Sequence, residues 1–235
     1  MDENMIDYRR NAGYTAVLID GGFYRKRAQF YFGEKTPKER ADELETYCKR
    51  HLSEKYYYHD LYRVFYYDCP PIEKKIYHPL LGKAVDFSKS AIYLWTEEFF
   101  KELKKRRKFA IRLGKLSESH AYFSLKEKPL KELIKGRMKT TDLKEKDFLL
   151  EIDQKGVDMK IGLDIASLSY KKQVAQIVLI SGDSDFVSAA KLARREGVDF
   201  ILDPMGAVIK SDLLEHIDGL RSVDKKIIYN FGDKE

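Results

Sequence analysis

Four aspartates of this chain stand where carboxylates can do chemistry. Asp20 closes the apolar run "AVLID" and is followed by two glycines. Asp183 and Asp185 follow the run "IVLIS" in the stretch "SGDSDF". Asp158 sits in "KGVD", ahead of the helical pattern "MKIGLDIASLSYKKQ". In open α/β sheets, ligands gather beyond the carboxyl ends of the strands, and Asp20, Asp183 and Asp185 fall at such ends. If the helix behind Asp158 starts at the same edge, all four converge. Two unit charges about 4 Å apart repel by roughly 4 kcal/mol at an effective dielectric near 20. Such a quartet therefore needs a hard cation, or some of its members must be protonated. Oxygen-only ligands suit Mg²⁺ or Mn²⁺. Those ions polarise phosphoryl oxygens and activate water, which is the chemistry of phosphodiester hydrolysis. No His adjoins the acids in sequence, and no Cys/His cluster offers a zinc site.

Each acid also has a plainer reading. Asp185 is placed to cap a helix beginning at Phe186, whereas Asp183 stands too early for that. Asp20 with Gly21 and Gly22 could form a turn, and Asp158 could cap its own helix. Asp164 lies about 240° around the helix from Asp158, so it reads as a supporting acid behind the others.

The elements that must position these acids follow from periodicity. "YTAVLIDGGF" (14–23) reads as a buried strand emptying into a loop. Residues 38–57 read as a helix, and "YRVFYYDCPP" (62–71) as a strand stopped by two prolines. Residues 88–107 read as a helix with a basic C-terminal end, and "FAIRLGKL" (109–116) as a strand. The segment 117–147 is polar, Lys-rich and broken by Pro129 and Gly136. It reads as an insertion or mobile loop with a short hairpin around "HAYFSL". Then come a helix (159–173), a strand (175–181), a helix closed by Gly197, a strand (198–203), a helix at about 211–217 and a last apolar segment, "KKIIYNF". Strands alternate with helices, and the best strands are continuous apolar runs. That pattern predicts an α/β fold with a mainly parallel central sheet covered on both faces. No repeat and no dividing linker appears, so residues 1–235 read as one domain.

Composition adds a charge asymmetry. The 235 residues are 43% hydrophobic and 35% charged, with a net charge of +6. Residues Lys101 to Lys139 hold 14 basic and 4 acidic side chains, a local net of +10 that leaves the remainder at −4. A basic segment beside acidic chemistry suits a polyanion, although any one such run is more often a solvated helix face. Cys48 and Cys69 lack metal-ligand spacing, which makes a reducing compartment the default. The N-terminus "MDENMIDYRRNAGY" is charged throughout, and no stretch approaches the roughly 20 apolar residues of a membrane span. A cytoplasmic protein without membrane contact is expected. There is no G-x-G-x-x-G or G-x-x-x-x-G-K-[ST] to mark a nucleotide-binding protein.

Taken together, "AVLIDGGF", "RVFYYD", "IRLGKL", "KGVDMKIGLDI" and "IVLISGDSDFVSAAKLARREGVDFIL" resemble the NYN domains, in particular their LabA-like group, within the PIN-like nuclease superfamily. The resemblance runs from about residue 14 to 203, with unmatched stretches between. It implies a PIN-like three-layer α/β/α sandwich and a metal-dependent ribonuclease site. By motif position the metal ligands and catalytic acids would be Asp20, Asp158, Asp183 and Asp185, with Ser181 helping to orient water or a ligand. Relatives often carry an Asn shortly after the first Asp; Gly21, Gly22 and Phe23 stand there instead. Some members of the superfamily bind RNA without cutting it.

The partner implied is RNA, single-stranded first, with DNA as an alternative; a homodimer is left open. Lys155, Lys160, Arg112 and Lys115 flank the acids in sequence and are the expected phosphate contacts. The stretch "YYYHDLYRVFYY" offers stacking surfaces for bases, although alternating aromatics on a strand more often build a core. A haloacid-dehalogenase-type phosphatase also has an Asp after its first strand, but needs a second Asp two residues later, where this chain has Gly22. The rival of another class is a binding module that keeps the fold without cleaving.

Overall fold

The computed structural model describes residues 10–54, 57–117 and 121–227. In chain order its elements are β1 (Arg10–Asp20), α1 (Gly21–Phe32), α2 (Pro37–Arg50), β2 (Tyr57–Asp68), β3 (Lys75–His78), β4 (Lys83–Asp86), α3 (Ala91–Lys104), β5 (Phe109–Leu113), β6 (Lys115–Leu116), β7 (Tyr122–Leu125), α4 (Glu127–Ile134), β8 (Phe148–Glu151), β9 (Gln154–Lys155), α5 (Val157–Tyr170), β10 (Gln176–Ile180), α6 (Val187–Arg195), β11 (Asp199–Asp203), α7 (Ser211–Leu214) and β12 (Gly219–Leu220). They form two compact units. The first comprises Met1–Asp68, Glu98–Leu113 and Gly156–Glu235; the second comprises Cys69–Glu97 and Gly114–Lys155.

The first unit holds a six-stranded sheet in the order β12-β11-β10-β1-β2-β5, with every pairing parallel. Parallel strands buried on both faces require unbroken apolar runs, and every residue of β10, Gln176 to Ile180, is buried. Side chains alternate between faces along a strand. One face presents Leu18, Tyr67, Leu179 and Leu202 to Ile161, Ile165 and Leu168 of α5 and to Ala190 and Ala193 of α6. The opposite face includes Tyr66, whose ring meets Phe99 and Phe100 of α3 at 5.6 and 6.2 Å. The unit is thus an α/β/α sandwich, as the sequence pattern predicts. Val64 to Tyr67 lie in its core, so the buried tyrosines of the aromatic stretch pack rather than present stacking surfaces.

The chain after Asp20 corrects the expectation of a loop, because it turns directly into α1. The Asp20 carboxylate caps that helix, accepting the Phe23 amide at 3.1 Å. Gly21, the first helical residue, crosses closely over the end of β2. A Cβ there would lie 2.6 Å from the Asp68 carboxylate and from the Tyr66 ring and hydroxyl. Helix α2 has stronger punctuation, with Pro37 at its start and a reciprocal Thr36–Glu39 capping box. The last expected helix is shorter than its sequence pattern suggests, ending at Leu214. "KKIIYNF" lies outside the described residues beyond Ile227.

The second unit is antiparallel. β3 pairs with β4, β6 with β9, and β7 with β8. His78 is buried among aromatic rings, 4.3 Å from Phe123 and 4.9 Å from Phe148. The described residues of 117–147 hold β7, α4 and the 3-10 turns Thr140–Asp142 and Glu145–Asp147. The "AYFSL" part of the expected hairpin contributes β7, whose partner β8 comes from Phe148–Glu151; His120 lies outside the described residues. The β3–β4 hairpin had no counterpart in the sequence reading.

The close approach at Gly21 generates a stability prediction. Gly21→Ala should destabilise the fold by about 1–3 kcal/mol, the usual cost of overpacking, although alanine is the better helix former. Urea denaturation of the two proteins would check this; equal stability would show that Tyr66 and Asp68 yield freely.

Candidate active site

β1, β2 and β10 lie side by side, with Ile19 opposite Ile180 and Asp20 opposite Tyr67. Their carboxyl ends therefore open on one edge, where the candidate acids are distributed. Asp20 is partly buried between the end of β1 and the start of α1. Burial pushes its carboxyl above the usual carboxylate range; the Phe23 amide pulls it back, and the charges of Asp158 and Asp68 add to the rise. Asp158 is the second residue of α5, in its first turn. It reaches solvent, yet partial burial first, and then the charges of Asp183 and Asp185, hold its carboxyl above the usual range. Asp158 thus lies within the field of both the β1 end and the β10 loop.

The loop after β10 reverses the expected roles of its two acids. Asp183, not Asp185, is the cap. Its Oδ1 accepts the Asp185 amide at 3.0 Å and starts a 3-10 turn, Ser184–Phe186, that leads into α6. The fully buried Ser181 hydroxyl accepts the Asp183 amide at 3.2 Å, so Ser181 fixes the loop from below. Asp185 is exposed in the first turn with its carboxylate uncommitted to capping. Nor does Asp158 cap α5; the N-cap is Gly156, at φ +82°. Gly182 brings the loop against α1, since a Cβ there would sit 2.5 Å from the Phe23 ring. Phe23 therefore serves twice, its amide holding Asp20 and its ring packing on the residue before Asp183.

Asp68 was missed in the sequence. It ends β2 as Asp20 ends β1, is buried, and contributes to the field on Asp20. It pairs with the Arg25 guanidinium and accepts the Tyr66 hydroxyl at 3.2 Å. The available signal was an Asp closing an apolar strand, hidden by the prolines that follow it in "YYDCPP".

The expected supporting groups divide. Asp164 accepts the Tyr67 hydroxyl at 2.7 Å and pairs with Arg112 at 3.1 Å, so it steadies the end of β2. Arg112 also lies 5.4 Å over the Phe65 ring and is partly committed. Lys160 stands about 200° around α5 from Asp158, so it is not on the same face. Lys115 and Lys155 face one another across the β6–β9 pair of the second unit.

The donor set is wholly carboxylate, which fits a hard divalent cation and excludes a thiolate or imidazole site. Among the described residues, no three His, Cys, Asp or Glu side chains are gathered as a metal-holding group. The acids share an electrostatic field without forming a closed set of ligands.

The chain belongs to the NYN domain family, whose model matches residues 80–213. That places it with the PIN-like nucleases, which generally use divalent ions. The matched span contains Asp158, Asp183 and Asp185; Asp20 and Asp68 precede it. A protein of unknown function from Vibrio parahaemolyticus is similar in structure over 95% of this chain and 99% of its own, at 12% identity and a TM-score of 0.45. None of the curated proteins matches the chain. No helix among the described residues is long and apolar enough to cross a membrane.

A pH-dependent prediction follows from Asp20. Its folded-state pKa lies above the unfolded value, so ionisation costs stability at neutral pH, and the cost disappears as pH falls below the unfolded value near 4. Asparagine retains the cap without the charge. In EDTA, Asp20→Asn should raise Tm at pH 7 by about 3 °C, on the order of 1 kcal/mol, and the gain should vanish below about pH 4. Thermal melts across this range would show it; a gain independent of pH would remove the cost of ionising Asp20 as the cause.

Proposed function

We propose that the protein is a metal-dependent ribonuclease that hydrolyses phosphodiester bonds of single-stranded RNA. The observation that carries the proposal is Asp158, which lines one groove with Asp185 and shares an electrostatic field with Asp20 and Asp183. Asp20, Asp158, Asp183 and Asp185 would hold one or two Mg²⁺ or Mn²⁺ ions at the carboxyl edge of the sheet. A cation there would supply polarisation of a phosphoryl oxygen and activation of water. The chain's own part is positioning. Phe23 fixes Asp20, Ser181 fixes the loop of Asp183, and Arg25 balances the charge of Asp68 behind them.

Within the family, "KGVD" and "SGDSDF" support placing the chain in the LabA-like group. Phosphate contacts would come from basic side chains, and Lys115 and Lys155 are both exposed. Cys48 and Cys69 are both buried thiols outside any disulfide, in keeping with a reducing, cytoplasmic setting.

The test is cleavage of labelled single-stranded RNA in Mn²⁺, Mg²⁺ and EDTA, with wild type beside Asp183→Asn. Asn retains the cap, so the fold should persist while the rate falls by orders of magnitude. Cleavage should cease in EDTA. Equal cleavage by both proteins would displace the site. Absence of cleavage by either, on RNA and DNA, would support a binding module instead.

A further inference from the structure

Two of the candidate acids head matching rows of small and apolar residues. On α5, Asp158 is followed at four-residue steps by Gly162 and Ala166, which share its face. Across from them, Asp185 stands in the 3-10 turn that leads into α6, whose Ala189 and Leu192 line the same groove. The rows line an open groove of about 480 Å³, with the exposed Met159 on its rim and the buried Phe186 within its lining.

Gly162 gives this groove its shape. A glycine inside a helix weakens it and is usually explained by a neighbour that approaches closely. Here a Cβ would meet nothing within 4 Å. The space it leaves belongs to the groove, not to helix packing.

The chemistry of the groove selects its occupant. Its mouth carries two carboxylates and its walls are neutral, with the Ser188 hydroxyl as the one uncharged polar side chain among its lining residues. An anionic phosphate is repelled from the mouth unless a cation intervenes, and no anchoring cation lines the interior. A flat, uncharged ring with apolar faces suits walls of glycine, alanine, leucine and methionine. The volume falls in the range of small-molecule sites, and a docked helix, about 10–12 Å across, would need a wider trough.

We propose that the groove between α5 and α6 receives the base of the nucleotide next to the phosphate held at the acids, and that Gly162 keeps it open. This rests on the ribonuclease reading. With few groups to read base edges, the slot would accept purines and pyrimidines alike, and Met159 would adapt to either size.

The full-length protein is tested on a labelled single-stranded RNA made abasic at one position at a time, in Mn²⁺. For wild type, one position beside the cleaved bond should raise KM about tenfold, the order expected when one ring's apolar contact area is lost. Gly162→Leu fills the slot, and leucine is the better helix former; an unchanged or raised Tm checks the fold. This variant should show the tenfold higher KM on intact RNA and lose its sensitivity to the abasic position, with the change falling on KM rather than kcat. Independent, multiplying effects of the two changes would overturn the proposal. If wild type cleaves nothing, the ribonuclease reading fails and the slot is tested by binding alone. An RNA carrying 2-aminopurine should then show a fluorescence change on wild type that Gly162→Leu abolishes. An identical response from both proteins, or none from wild type, would overturn the proposal.

Discussion

Like charges at the ends of neighbouring strands are the constraint around which this molecule is organised. Parallel pairing of β1 with β2 and β10 brings their carboxyl ends to one edge, and the chain puts acids there. Hydrogen bonding along the strands leaves the acids no freedom to separate by more than their side chains allow. Burial first, and then this repulsion, raises the carboxyls of Asp20 and Asp158.

The surroundings offset that repulsion with dipoles and one cation. Asp20 takes an amide at the start of α1, Asp183 takes one at the start of its 3-10 turn, and Asp158 lies in the first turn of α5. Helix starts favour negative charge, so each acid has a local counterweight from the element that carries it. Asp68 has Arg25. Phe23 and Gly182 then tie the first of these elements to the second by packing. The edge is packed and hydrogen-bonded at its base and still charged at its outer surface.

The strands were legible because burial on both faces demands unbroken apolar runs, and "AVLI" and "IVLI" are short, β-branched and soon followed by glycine. Helix α1 was not. Its opening glycines look like a loop, and their helical role depends on Tyr66 and Asp68, which are distant in sequence. The Asp183 cap was misassigned because a 3-10 turn precedes α6, and periodicity does not register a single turn. Asp68 escaped notice because its importance comes from its neighbours across the sheet. In the segment 117–147, β7 finds its partner β8 more than twenty residues later, a pairing that local pattern does not announce.

The central place of β1 also bears on how the molecule comes into being. One neighbour, β2, follows closely, but the other, β10, lies 161 residues on at the Thr15–Gln176 contact. Contacts of such long range slow folding. At roughly 5–20 residues per second of synthesis, β1 waits about 8–32 s for its second partner. For that interval an apolar strand has one unpaired edge, the feature that invites mispairing. The strand that brings the first acid to the sheet is therefore the one that most needs shielding while the protein is being made.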